Sequence, residues 1–154
     1  MIKINEKMSQ GTNKIEFIII VGCGRLGSQL ANFLSKEQNS VIIIDKNEAA
    51  FGRLNEDFSG FAIVADATEL DILLDAKIDK ADIVITTTND DNTNIMIAQI
   101  AKKIYCVPKV IARLFEPSRQ GVYDELDIET ICPVTLSANA LINLIRGQYQ
   151  EVNR

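Results

Sequence analysis

A chain of 154 residues, 47% hydrophobic and 24% charged, has the length and balance of one folded domain with a buried core, far from a disordered segment. Its formal net charge of −5 excludes composition-driven attraction to DNA, RNA or anionic lipid. The longest apolar runs, Phe17 to Val21 and Val41 to Ile44, are too short to cross a bilayer, so direct membrane insertion is not expected.

Residues 1–14 read as a polar N-terminal extension without a signal-peptide core, residues 15–147 as a single domain, and residues 148–154 as a short tail. Within the domain, short apolar runs alternate with turn residues and amphipathic runs, the pattern of βαβ units in a parallel sheet. Strands are expected near Phe17–Val21, Val41–Asp45, Phe61–Val64, Ile83–Thr87, Lys109–Arg113 and Glu129–Cys132, each unbroken in apolar character and so buried on both faces. Leu26, Leu30, Phe33 and Leu34 fit one helix with a single core stripe, and Ile97, Ile100, Ala101 and Ile104 fit another. Thr68 and Asp71 are spaced as a capping box for a third helix, Pro117 suits the first turn of a fourth, and the polar segment Thr86 to Asn94 reads as a loop. The last helix, Leu136 to Arg146, is apolar over so broad an arc that burial against a second protomer, or deeper packing within one subunit, is expected.

Three widely spaced cysteines without a C-x-x-C pair argue against a disulfide framework and a zinc site, and fit a reducing cytosol. Histidine is absent, which removes the commonest general acid–base and the commonest metal ligand.

Gly22-Cys23-Gly24-Arg25-Leu26-Gly27 is a G-x-G-x-x-G lying directly after a strong strand and before an amphipathic helix. Gly22 permits the tight turn, Gly24 lets backbone approach a diphosphate, Gly27 lets the helix pack closely, and the helix's free N–H groups face the anion. Asp45 ends the second strand about 20 residues on, where a carboxylate accepts hydrogen bonds from ribose hydroxyls and repels a 2′-phosphate. The two signals in register define a Rossmann-type, doubly wound six-stranded parallel sheet with helices on both faces. Lys46 tempers the exclusion of a 2′-phosphate, because its ammonium could swing toward one.

Asp66 ends the third strand and reaches the same crevice; it could meet an adenine amino group or serve as a helix-start carboxylate. Thr87, Thr88 and Asn89 could line the crevice or supply only turn chemistry. Arg25 adds a fixed positive charge suited to terminal phosphates, while Arg113 could add a second or form a structural ion pair. Cys23 is assigned backbone contact alone, with its thiol as filler.

The segments Ile18 to Gly27, Val41 to Asp45, Val64-Ala65-Asp66-Ala67-Thr68, Thr88 to Asn94 and Val110-Ile111-Ala112-Arg113 together resemble the nucleotide-binding domain of the regulator-of-potassium-conductance family, over about Phe17 to Gly147. That resemblance implies a domain that binds NAD(H), ATP, ADP or AMP without turnover. It implies assembly as dimers, often rings, on the cytosolic face of an integral-membrane potassium transporter or channel. By position, phosphate contacts fall on Gly22, Gly24, Arg25 and Leu26, the ribose contact on Asp45, and adenine-side contacts on Asp66 and Ala67, with Cys23 and Lys46 included among the nucleotide-binding residues. Thr87, Thr88 and Arg113 complete the pocket. Members commonly carry Pro-Glu after the sixth strand, with the glutamate able to bind a divalent cation; here the pair is Pro133-Val134, so no metal is expected there. Members often carry a smaller C-terminal effector domain as well; only residues 148–154 follow the last helix here, so the expectation is that a partner chain supplies that domain or that none exists.

The competing reading is the cofactor half of an NAD-dependent oxidoreductase completed by another subunit. Such an enzyme needs a substrate domain and an acid–base pair near the nicotinamide, and neither is evident in the sequence, so no catalytic residue is assigned.

Overall fold

The computed structural model describes residues 14–148. The 1–14 extension and the 148–154 tail therefore lie almost wholly outside the described residues. Six parallel strands, β1 (Phe17–Val21), β2 (Ser40–Asp45), β3 (Phe61–Val64), β4 (Ile83–Thr86), β5 (Lys109–Arg113) and β6 (Glu129–Ile131), form one sheet in the order β3-β2-β1-β4-β5-β6. The chain crosses from one half of the sheet to the other on passing from β3 to β4, and the switch point, between the neighbouring strands β1 and β4, opens a crevice at the strands' carboxyl ends. Register is tight there, with Val21 opposite Ile44 on one side and Thr86 on the other.

Alternate residues of β1 feed two cores. Ile18 and Ile20 join Val41 and Ile43 beneath α1 (Arg25–Lys36) and a 3-10 helix, Glu48–Arg53. Ile19 and Val21 join Ile44, Val84, Leu73, Ile97 and Tyr123 beneath α2 (Leu70–Asp75), α3 (Asp91–Gln99) and α4 (Gln120–Glu125). A helix α5 (Pro133–Ile145) follows β6, with Pro133 in its first turn.

Several expectations are corrected. Burial on both faces holds for the central strands, but β3 is an edge strand with Phe61 70% exposed, and β6 is the opposite edge. An apolar run alone does not distinguish an edge from a centre. The buried stripe of α1 is Gly27, Ser28, Ala31 and Ser35, with Leu30 and Leu34 only flanking it and Phe33 exposed. Small residues bring this helix close to the sheet, and its larger side chains splay to either side. Ile97 and Ala101 are fully buried, whereas Ile104 ends a π-helical turn, Ile100–Ile104, and is exposed.

The expected capping box does not form: Glu69 caps α2 without a side-chain bond, and Thr68 turns its N–H and Oγ1 to Asp66 instead. The segment Thr86 to Asn94 is not all loop. Asp90 caps α3, its Oδ1 accepting from the Asn92 N–H and its Oδ2 from Thr93 Oγ1, so the acid and amide run is a helix start. Those bonds hold the Asp90 carboxyl below its usual range, Thr93's first and then Asn92's.

Candidate functional site

The carboxyl ends of β1 to β4 surround a crevice of about 410 Å3. Gly22 forms part of its wall and has φ +102, and a Cβ there would sit 3.0 Å from the Thr87 carbonyl carbon and the Thr88 nitrogen. Backbone conformation and space both demand glycine. At Gly27 a Cβ would collide with the Gly22 carbonyl oxygen and lie 2.7 Å from Thr87 Oγ1, so this glycine lets α1 approach the turn. Gly24 differs: a Cβ there meets nothing within 4 Å, so the space over the loop is open. Gly24→Ala is accordingly expected to cost under about 1 kcal/mol of stability, as a helix-cap change, while weakening any ligand laid against the loop. Thermal melts beside titration calorimetry separate the two effects.

Asp45, at the end of β2, accepts the Cys23 N–H through Oδ2 at 2.7 Å and the Asn47 N–H through Oδ1 at 2.8 Å. The carboxylate thus ties the glycine loop to the turn after β2, and each oxygen keeps a second lone pair for a hydroxyl. Lys46 is exposed beside it on the crevice wall. Asp66 accepts both the N–H and the Oγ1 of Thr68 through Oδ1, bonds that hold its carboxyl below the usual range, the side-chain bond first. It closes a turn ahead of α2 rather than capping the helix, and with Ala67 it lines the crevice.

Thr88, Asn89 and Asp90 form the opposite wall, together with Thr93. Thr87 is buried behind that wall, its Oγ1 within 3.1 Å of the Val21 carbonyl and 3.0 Å of the Gly22 carbonyl, where it supports the glycine loop. Cys23 is fully buried, its Sγ 3.5 Å from the Ala50 carbonyl; burial, then the Asp45 charge, pushes its thiol up, against a smaller pull from Arg53. Because the folded chain holds this proton more tightly than the unfolded one, stability is expected to fall as pH climbs past a free thiol's value of roughly 8.5. Exposed Cys106 should alkylate readily in the folded protein and Cys23 only on unfolding, which mass spectrometry of iodoacetamide-treated samples would show.

Arg25 opens α1 at the loop, is exposed, and takes part in no ion pair among the described residues. Leu26 is half-buried beside it. Arg113 is not brought to the crevice wall and is in no ion pair among the described residues: its guanidinium lies 5.1 Å from the centre of the Phe115 ring, with Nε buried and unpaired. Among the described residues no group of three or more Cys, Asp or Glu could hold a metal ion. Sequence reasoning missed Val21, Ile44, Ala65, Thr68, Asp90 and Thr93 on the wall, and Asn94 and Asp91 behind it. The last two lie within the Thr88 to Asn94 segment of the resemblance, but in the first turn of a helix read as loop, so no role was assigned to them.

A doubly wound sheet with a glycine turn at its switch point and an acid ending β2 defines a Rossmann-type domain. The profile of the TrkA-N domain family matches residues 18–133, and the chain belongs to that family. It is 34% identical over 125 residues, 81% of its length, to the Trk system potassium uptake protein TrkA of Streptomyces coelicolor, of which it covers 56%. The chain thus spans about half the length of that relative. Among solved structures it resembles the GsuK channel bound to NAD (TM-score 0.74, 28% identity, 86% of this chain and 24% of that one). GsuK bound to ADP superposes similarly, with TM-score 0.73, 28% identity and coverage of 87% and 35%.

Proposed function

We propose that this domain is the adenine-nucleotide-sensing part of a potassium transport system, binding NAD(H), ATP, ADP or AMP in the switch-point crevice without turnover. The observation that carries this reading is the open space over Gly24 next to Asp45, whose carboxylate is fixed by two backbone N–H groups yet retains lone pairs for a sugar. Solved relatives with this fold hold NAD and ADP, and a curated relative serves potassium uptake. Asp66 and Ala67 then border the base, and Arg25 at the start of α1 meets the terminal phosphates. Different phosphate lengths would favour different conformations, and control of flux would follow from that difference in affinity.

The partner in this reading is an integral-membrane potassium transporter or channel, on whose cytosolic face the domain sits. No helix among the described residues is long and apolar enough to cross a membrane itself. Homodimerisation through α5 belongs to the same proposal. No residue of α5 is buried, and Leu136, Leu141, Leu144 and Ile145 are all more than half exposed. An isolated helix of this character needs a covering surface. Leu141→Glu combined with Ile145→Glu should convert a dimer to a monomer in light scattering; an unchanged mass would remove α5 from the interface.

The ligand assignment is tested by Arg25→Ala across AMP, ADP and ATP in calorimetry. The loss should be least for AMP and greatest for ATP, and equal losses would remove Arg25 from the phosphate end.

A further inference from the structure

We propose that Asn94 is a positioning residue that couples the nucleotide crevice to the paired ends of β5 and β6, from which α5 departs. Asn94 is fully buried in the first turn of α3 and is not on the crevice wall. Its side chain bonds to two separate segments. Oδ1 accepts the Thr88 N–H at 2.9 Å and the Thr88 Oγ1 at 2.7 Å, while Nδ2 donates to the Thr88 carbonyl at 3.0 Å and to the Arg113 carbonyl at 3.1 Å. Both amide protons and two acceptor sites are used, so the side chain has one low-energy orientation, and Thr88 cannot shift without Asn94.

The connection continues past Arg113. The next residue, Leu114, donates its N–H to the Ile131 carbonyl at 2.8 Å, joining the end of β5 to the last residue of β6, two positions before α5 begins. Asp91, three residues before Asn94 on the same helical turn, holds the residues that follow, accepting the Phe115 and Glu116 N–H groups at 2.6 and 2.9 Å. On the crevice side, Thr88 Oγ1 has one proton and two acceptors in reach, Asn94 Oδ1 at 2.7 Å and the Asp90 carbonyl at 3.2 Å. A ligand pressing on the Thr88–Asp90 wall therefore acts on the hydroxyl that Asn94 holds. The inference rests on the nucleotide reading above.

Hydrogen exchange on the full chain, with ADP as probe and calorimetry alongside, tests it. In the wild type, ADP should slow exchange at the Leu114 amide by about threefold or more relative to the Ser40 amide, which donates to the Glu16 carbonyl at the other end of the sheet and reports general stabilisation. In Asn94→Ala that difference should vanish while ADP still binds, more weakly. Asp91→Asn, which leaves Asn94 in place, should reduce the difference in part and serves if the first variant does not fold. An equal change at Leu114 and Ser40 in the wild type overturns the proposal, as does a Leu114 response that survives Asn94→Ala. Failure of ADP, AMP and NAD to bind the wild type at all overturns the nucleotide reading, and this inference with it.

Discussion

Gly27→Ala is expected to destabilise the domain by about 3 kcal/mol or more, at the upper end of overpacking costs. Helix propensity alone points the other way, because alanine in place of a helical glycine gains up to about 1 kcal/mol. Sterics decide the sign. The added Cβ would overlap the Gly22 carbonyl oxygen, and Gly22 cannot retreat: its φ is +102, its N–H is bonded to the Ile44 carbonyl at 2.8 Å, and Thr87 closes in behind it. For a domain of this length the loss corresponds to a fall in Tm of roughly 6–12 °C. Gly121→Ala in α4, where a Cβ meets nothing within 4 Å, is the control and should be neutral or stabilising by up to about 1 kcal/mol. If both variants melt with the wild type, the close approach of α1 to the glycine turn is misjudged.

The second large effect is on binding. Asp45→Ala should weaken adenosine ligands by about 1.5–3 kcal/mol, roughly 10- to 150-fold, as expected for removal of a charge-assisted hydrogen bond. The same change leaves the Cys23 and Asn47 N–H groups without their acceptor, so a stability loss of about 1–2 kcal/mol should accompany it. Asp45→Asn separates these contributions. Its single carbonyl oxygen can still serve one of the two N–H groups, so stability should partly recover while affinity stays low. Calorimetry with AMP beside thermal melts gives both quantities, and unchanged affinity in Asp45→Ala would remove the sugar from this carboxylate.

How far the sequence revealed this arrangement depended on the kind of signal. The strand, glycine turn and helix from Phe17 to Lys36 were legible because Gly22 and Gly27 answer requirements of backbone conformation and close approach that no other residue meets. Asp45 was legible because strand length places it at the sheet's carboxyl edge. β3 was expected to be buried on both faces because Phe61 to Val64 is as apolar as β1, but pairing, unlike hydropathy, is set by residues distant in sequence and leaves it at the edge. The stripe of α1 was misassigned for a related reason: periodicity finds large apolar residues, whereas close packing on the sheet selects Gly27, Ser28 and Ala31. Thr88, Asp90, Asp91 and Asn94 look like loop composition, yet their side chains cap α3 and bond neighbouring strand ends. Arg113 reads as a pocket cation by position, but its guanidinium lies over Phe115.

The central claim is that an adenine nucleotide lies across the switch point, its phosphates at the glycine loop and its sugar at Asp45. Titration of the 15N-labelled protein with ADP, followed amide by amide, tests this most directly. The account predicts saturable shifts concentrated at Gly22, Gly24, Arg25, Lys46, Ala67 and Thr88, with residues at the opposite end of the sheet, such as Ser40 and Asp82, unmoved. Amides of the glycine loop that stay put at millimolar ADP, or shifts confined to another surface, would contradict it.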